Sequence, residues 1–282
     1  MHNHLQKNKQ TNANTNSVNT GAIGVMDSGV GGLSVLQHIH RLLPHEHLNY
    51  IADSQYAPYG SLSPEAITER CFTIADFLIE QNVKALVVAC NTATAASIQL
   101  MRAKYTLPII GMEPAVKPAA LASQNGIIGV LATVGTLKSA QFAALLTNYG
   151  QDIQVHTQGC VGLVECVEQG EINAASTKAL IAEYCAPLLE AGADTIVLGC
   201  THYPFVRDVI QGVVGDGVTV IDTGEAVAKH LQSTLEAQSL LTASEAESNI
   251  SIWTNNEAVD ADDVIRQLWG GSDVVVRRIT LR

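Results

Sequence analysis

The sequence has no long apolar run. None reaches the roughly 18–20 residues that span a bilayer, so no membrane segment is expected. Basic residues are also few: 16 Lys and Arg stand against 27 Asp and Glu, a net charge of −11. They are scattered apart from Arg277-Arg278. A nucleic-acid partner is therefore not expected, because phosphate binding needs clustered cations. The six cysteines include no C-x-x-C pair, which argues against a structural zinc site or a thioredoxin-like motif. No metal is expected. Residues 1–20 lack the apolar segment of a secretory signal. The expected location is the cytoplasm, with reduced thiols. The Asn/Thr-rich leader 1–20 cannot bury enough apolar surface to order itself and is expected to be a flexible tail.

What the sequence does hold is apolar material: 47% of 282 residues, with 15% charged. That suffices for about two domains with buried cores. Short β-branched runs recur at 22–27, 48–53, 85–90, 107–112, 126–133, 153–158, 195–200 and 218–222. Between them, segments such as 67–82 and 176–192 carry apolar residues at helical spacing. Nearly continuous apolar strands alternating with helices imply parallel sheets covered on both faces.

An internal repeat is legible. FLIEQNVKALVVACNT (77–92) aligns without gaps with PLLEAGADTIVLGCTH (187–202), an offset of 110 that sets Cys90 on Cys200 and Asn91 on Thr201. GAIGVMDSG (21–29) matches GIIGVLATV (126–134) at an offset of 105, with Ser28 over Thr133. The expected fold class is α/β with two pseudo-symmetric domains, each a mainly parallel sheet flanked by helices, and the active site between them.

Ligands of open parallel sheets gather at the carboxyl ends of the strands. Those ends read Asp27-Ser28-Gly29, Asp53-Ser54, Cys90-Asn91-Thr92, Thr133 to Thr136 and Cys200-Thr201-His202. Small hydroxyl and amide residues cap helices and leave backbone N–H groups for an anion. A small carboxylate ligand held by neutral donors is expected. DSGVGG (27–32) lacks the G-K-[ST] ending of a phosphate loop and does not reproduce G-x-G-x-x-G. Its glycines are expected to permit a tight strand-to-helix turn. The four histidines of HIHRLLPHEH (38–47) read as an exposed helix end rather than a metal site.

Cys90 and Cys200 are the sharpest signal. Each ends a buried strand before a presumed helix N-terminus, which is expected to favour thiolate. Two acid/base groups on opposite faces of one carbon are what stereochemical inversion requires. Asp27 and His202 are placed to tune them. Cys71, Cys160, Cys166 and Cys185 have no repeat partner and are read as structural. A cysteine-nucleophile hydrolase would leave the second thiol without a task. A non-catalytic amino-acid-binding protein would explain the pocket but not the matched cysteines.

DSGVGG, ACNTA and GCTHYP occur here in the order and setting of one family. The chain resembles the glutamate racemases of the cofactor-independent aspartate/glutamate racemase superfamily. The matching segments are 23–36, 50–60, 87–97, 129–139, 197–206 and 222–228. The resemblance implies two α/β domains with a glutamate site between them and no cofactor. It implies that Cys90 acts on D-glutamate and Cys200 on L-glutamate, in the supply of D-glutamate for peptidoglycan. It also implies that Asp27, Ser28, Tyr59, Gly60, Asn91, Thr92, Thr133, Thr136, Thr201 and His202 contact substrate or assist the thiols. Relatives often carry Cys-Pro and an assisting glutamate near Cys160. Here Val161 replaces the proline, and Glu165 and Glu168 compete for the acidic role. The expected division is 21–113 with 224–282 as one domain and 114–223 as the other. The expected assembly is a homodimer, and activation by a peptidoglycan precursor, as in some Gram-negative members, is a further expectation. A related aspartate racemase is the nearest rival reading.

Overall fold

The computed structural model describes residues 21–150, 153–246, 248–271 and 274–281. The leader 1–20, read as a tail, lies outside the described residues. Ten strands are described: β1 (Ala22–Asp27), β2 (Leu48–Ala52), β3 (Val83–Val88), β4 (Ile109–Ile110), β5 (Ile127–Ala132), β6 (Gln154–Gly159), β7 (Thr195–Leu198), β8 (Thr219–Ile221), β9 (Ile250–Thr254) and β10 (Val275–Arg278). They form a six-stranded sheet, order β10-β9-β2-β1-β3-β4, and a four-stranded sheet, order β6-β5-β7-β8. Every described strand pair is parallel.

The repeat survives at the level of single residue pairs. Strands β2-β1-β3-β4 have the order of β6-β5-β7-β8. In the first sheet Met26 stands opposite Val88; in the second Leu131 stands opposite Leu198. These are the partners that the 105 and 110 offsets specify. Because the register matches, Cys90 and Cys200 leave their sheets at equivalent points, two residues beyond β3 and β7.

The helices form where the apolar spacing places them. Helix Pro64–Glu80 starts at Ser63, whose hydroxyl accepts from Ala66 N, with Pro64 in its first turn. Its inner face buries Ile67, Cys71, Ile74 and Leu78. Helix Ala175–Glu190 likewise buries Ile181, Cys185 and Leu188. One apolar cluster runs from Ile23 and Val25 under the first sheet through Leu163 and Tyr203 to Leu198 in the second. The two sheets thus share a core, and their carboxyl ends are brought together.

The sequence runs did not include β9 and β10, which extend the first sheet beyond β2. The first of these is five residues long, and the second, Val275–Arg278, is half-polar and lies at an edge, so neither gives a long apolar run. Among the described residues no helix is long and apolar enough to cross a membrane. The histidine-rich segment spans the end of helix Leu33–Leu42 and the loop after it, where His45 and His47 are exposed.

Candidate active site

Cys90 is the N-cap of helix Asn91–Lys104, and its Sγ accepts from Ala93 N at 3.4 Å. The sulfur lies 3.8 Å from Ser28 Oγ at the end of β1. A helix N-terminus was expected to favour thiolate here, and the structure corrects that. Burial, followed by the charge of Asp27, pushes the Cys90 thiol well above its usual range, and one backbone N–H does not offset them. Next to it, Asn91 is buried with neither Oδ1 nor Nδ2 hydrogen-bonded among the described residues. Buried amides are normally satisfied, so this one is free to serve a ligand.

The Cys200 side differs. No helix begins there; a turn leads into the short 3-10 segment Tyr203–Val206. The sulfur's partner is a side chain, His202 Nδ1 at 3.7 Å. His202 Nε2 lies 2.6 Å from Glu168 Oε1, and since a carboxylate accepts, the imidazole donates. Burial alone would lower the His202 pKa, but the Cys200 sulfur and the Glu168 carboxylate together hold it well above the imidazole range. Of the two glutamates left open by the sequence, Glu168 meets His202. Glu165 instead lines a cavity of about 290 Å³ with Pro58, Gly60, Thr133 and Cys160. Burial pushes the Cys160 thiol up to about 12, which fits its structural reading.

Asp27 lies between the two sides. Its Oδ2 accepts from Gly32 N at 2.6 Å and from Thr201 Oγ1 at 3.5 Å, and its Oδ1 from Ser28 Oγ at 3.4 Å. Burial raises its pKa against the opposing pull of His202. The glycines of DSGVGG lie in the tight turn from β1 to helix Leu33–Leu42 that the sequence suggested, though none has positive φ. Close approach requires them: a Cβ on Gly31 would lie 2.2 Å from His202 Nδ1. Ser34 Oγ lies 2.9 Å from Thr201 O and fastens this loop to the other half.

Thr92, Thr133 and Thr136 form a closed hydroxyl cluster, with Oγ1 separations of 2.9, 3.1 and 3.0 Å. Gly60 packs against Thr133. Tyr59 is adjacent, but its hydroxyl is committed elsewhere and donates to Asp53 at 2.5 Å. Asp53, placed with the strand-end residues, caps nothing with its side chain. The nearby partners that sequence reasoning missed are Ser34, Tyr50, whose hydroxyl donates to Gly29 O, and Arg70, which pairs with Asp53. Each acts across a distance in the chain that no local pattern reveals. A larger cavity, about 330 Å³ at Arg102, Glu113, Gln141, Thr223 and His230, contains neither thiol. The buried polar cluster, not cavity size, locates the candidate site.

Two sulfurs, one from each repeat, therefore border one buried polar cluster with separate proton-handling neighbours. They are near enough for charge on Cys200 to raise the Cys90 pKa. Such a site suits moving protons at carbon, and the chain belongs to the Asp/Glu/hydantoin racemase family, whose sequence model matches residues 23–231. Its relatives carry a narrower name. A glutamate racemase of Stutzerimonas stutzeri is 52% identical over 254 residues, 90% of this chain and 96% of that one. The structure of a Bacillus anthracis glutamate racemase superposes with a TM-score of 0.82 at 34% identity, covering 93% of this chain and 98% of the other. The Escherichia coli glutamate racemase, solved with L-glutamate and the activator UDP-MurNAc-Ala, gives a TM-score of 0.82 at 31% identity, covering 93% and 99%.

Proposed function

We propose that this chain is a cofactor-independent racemase that interconverts L- and D-glutamate by proton transfer between two thiols and Cα. The observation that carries the reading is the pair Cys90 and Cys200 at register-equivalent strand ends of the two sheets, around one buried polar cluster. From L-glutamate, the Cys200 thiolate takes the α-proton and the Cys90 thiol delivers a proton to the opposite face. The products are D-glutamate, a Cys200 thiol and a Cys90 thiolate; the reverse direction exchanges the roles. The His202–Glu168 pair supports charge on the Cys200 side, and Asp27 serves the Cys90 side through Ser28.

Neutral donors hold the substrate: Ser28, Gly60, Asn91, Thr92, Thr133, Thr136 and Thr201, with Tyr59 shaping the same wall. The unpartnered Asn91 amide supports this assignment. The proposed domains are 21–113 with 224–282, and 114–223. Strands β9 and β10 in the first sheet favour that division. The product would supply peptidoglycan synthesis in the cytoplasm, the working assembly would be a homodimer, and a peptidoglycan precursor would activate it as UDP-MurNAc-Ala does the Escherichia coli relative.

The test is circular dichroism of the purified protein with L- or D-glutamate and no added cofactor. Decay of either signal to zero is expected. A flat signal from both enantiomers overturns the reading, and racemisation of aspartate at the glutamate rate moves it to the aspartate racemases.

A further inference from the structure

Asp53 is a fully buried carboxylate that the proposed proton transfers do not use. It follows β2, and its N–H donates to Asp27 O at 3.1 Å, so it stands one strand away from the reacting groups. Its Oδ1 accepts from Arg70 Nη2 at 2.7 Å and Asn255 Nδ2 at 2.6 Å. Its Oδ2 accepts from Arg70 Nε at 3.0 Å and Tyr59 Oη at 2.5 Å. The donors come from helix Pro64–Glu80, from the turn Tyr59–Ser61 and from the segment after β9. A buried charge is tolerated when it is paired and its remaining lone pairs are filled. Here both oxygens are filled, and the bidentate arginine fixes the plane of the carboxylate.

That arrangement leads to the site through one contact. Tyr59 precedes Gly60, where an added Cβ would lie 3.0 Å from Thr133 Cβ. A Cβ on Gly135 would lie 3.1 Å from both Gly60 Cα and Gly60 O. The turn Tyr59–Ser61 therefore seats directly against the other half of the molecule, beside the threonine cluster. The two thiols have separate supports: Ser28 and Ala93 N for Cys90, His202 and Glu168 for Cys200.

We infer that Asp53, held by Arg70 and Asn255, is a positioning residue that sets the Tyr59–Gly60 wall of the substrate site against Thr133. The inference rests on the racemase reading and assigns these residues to holding substrate, not to moving protons. Loosening the wall should weaken the grip on both enantiomers while the thiols keep their geometry.

The experiment uses the full chain with Tyr59→Phe, Arg70→Ala, Arg70→Lys and the double variant Tyr59→Phe/Arg70→Ala. Racemisation kinetics are measured from both enantiomers, and glutamate binding is measured by calorimetry. The expected result is a KM for L- and for D-glutamate raised roughly tenfold in Tyr59→Phe and Arg70→Ala, the scale of one hydrogen bond to a charged group. Turnover should stay within about threefold, because the remaining steps use other residues. The double variant should be little worse than either single one, since both act through Asp53. Arg70→Lys, which keeps the charge but loses the fork, should recover only part of the loss. A purely structural role would lower turnover in proportion to lost folded protein and leave KM unchanged, and that result overturns the inference. Should Arg70→Ala fail to fold, Tyr59→Phe, which keeps the buried ring, decides alone. Calorimetry separates the two ideas. If the wild type binds glutamate without racemising it, the functional reading fails, and an affinity loss in the variants still supports the positioning role. If the variants bind glutamate like the wild type, the positioning role fails whatever the wild type catalyses.

Discussion

Glu168 Oε1 accepts from His202 Nε2 at 2.6 Å and also from the backbone N–H of Val30 at 2.7 Å. One carboxylate oxygen thereby ties the partner of Cys200 to the glycine loop that starts at Asp27, across the two halves of the chain. Glu168→Gln should lower kcat/KM roughly 10- to 100-fold, the scale of a hydrogen bond between charged groups. The loss in kcat/KM should be the same from L- and from D-glutamate, because enantiomers are equal in free energy and the ratio of the two values is fixed at one. Glu165→Gln should stay within about twofold, as for substitutions away from such contacts. Initial rates from both enantiomers check the pair.

The same contact has a pH signature. His202 carries a folded-state pKa raised by Cys200 and Glu168. A raised pKa stabilises the fold fully below the unfolded value, about 6.5 for histidine, and that contribution is lost as pH rises through the raised value. The stability gap between the wild type and Glu168→Gln should therefore be largest near pH 6 and narrow as the solution is made alkaline. Thermal melts of both proteins over that series measure it; a gap that widens with pH contradicts the charged pair.

Asn91→Leu separates binding from folding. Among the described residues neither polar atom of the buried Asn91 amide has a partner, so removing them should not destabilise the fold. Glutamate binding should weaken by about 1–3 kcal/mol, the cost of losing a buried polar partner. Calorimetry and a denaturant titration give the two numbers.

Gly31→Ala tests the glycine loop. The added Cβ would fall 2.2 Å from His202 Nδ1, so the ring must move off Cys200. A misplacement of this size costs about a hundredfold in rate. Activity should fall by that order from L-glutamate, and an unimpaired variant would contradict the packing.

Much of this was legible in the chain. The offsets of 105 and 110 carry into the strand register, Met26 to Val88 and Leu131 to Leu198, because parallel pairing preserves sequence spacing between equivalent units. Cys90, Cys200, Ser28, Asp27, Thr201 and His202 could thus be placed together from sequence. Strand β10 was not legible, because Val275–Arg278 is a half-polar edge strand with no apolar run of its own. The choice of Glu168 over Glu165 depends on which face of helix Leu163–Glu168 meets the glycine loop, a contact between halves 138 residues apart. Tyr59 was placed at the site only by the family resemblance, and its hydroxyl points to Asp53, whose other partners lie 17 and 202 residues away in the chain. The thiolate expectation at Cys90 failed because a helix N-terminus is a local signal, whereas full burial is a property of the assembled fold.

The central claim is that two thiols, one from each repeat, share a single proton transfer at Cα. Its most direct test is a time course in D2O, followed by NMR at Cα, for the wild type, Cys90→Ser and Cys200→Ser, started from each enantiomer. The wild type should give product deuterated at Cα from either side, with much less label in substrate recovered early, because that proton returns only from the thiol that took it. A serine hydroxyl is far less acidic than a thiol, so each variant should lose nearly all racemisation in both directions. Wild-type product without solvent deuterium, or full activity in either serine variant, would contradict the account.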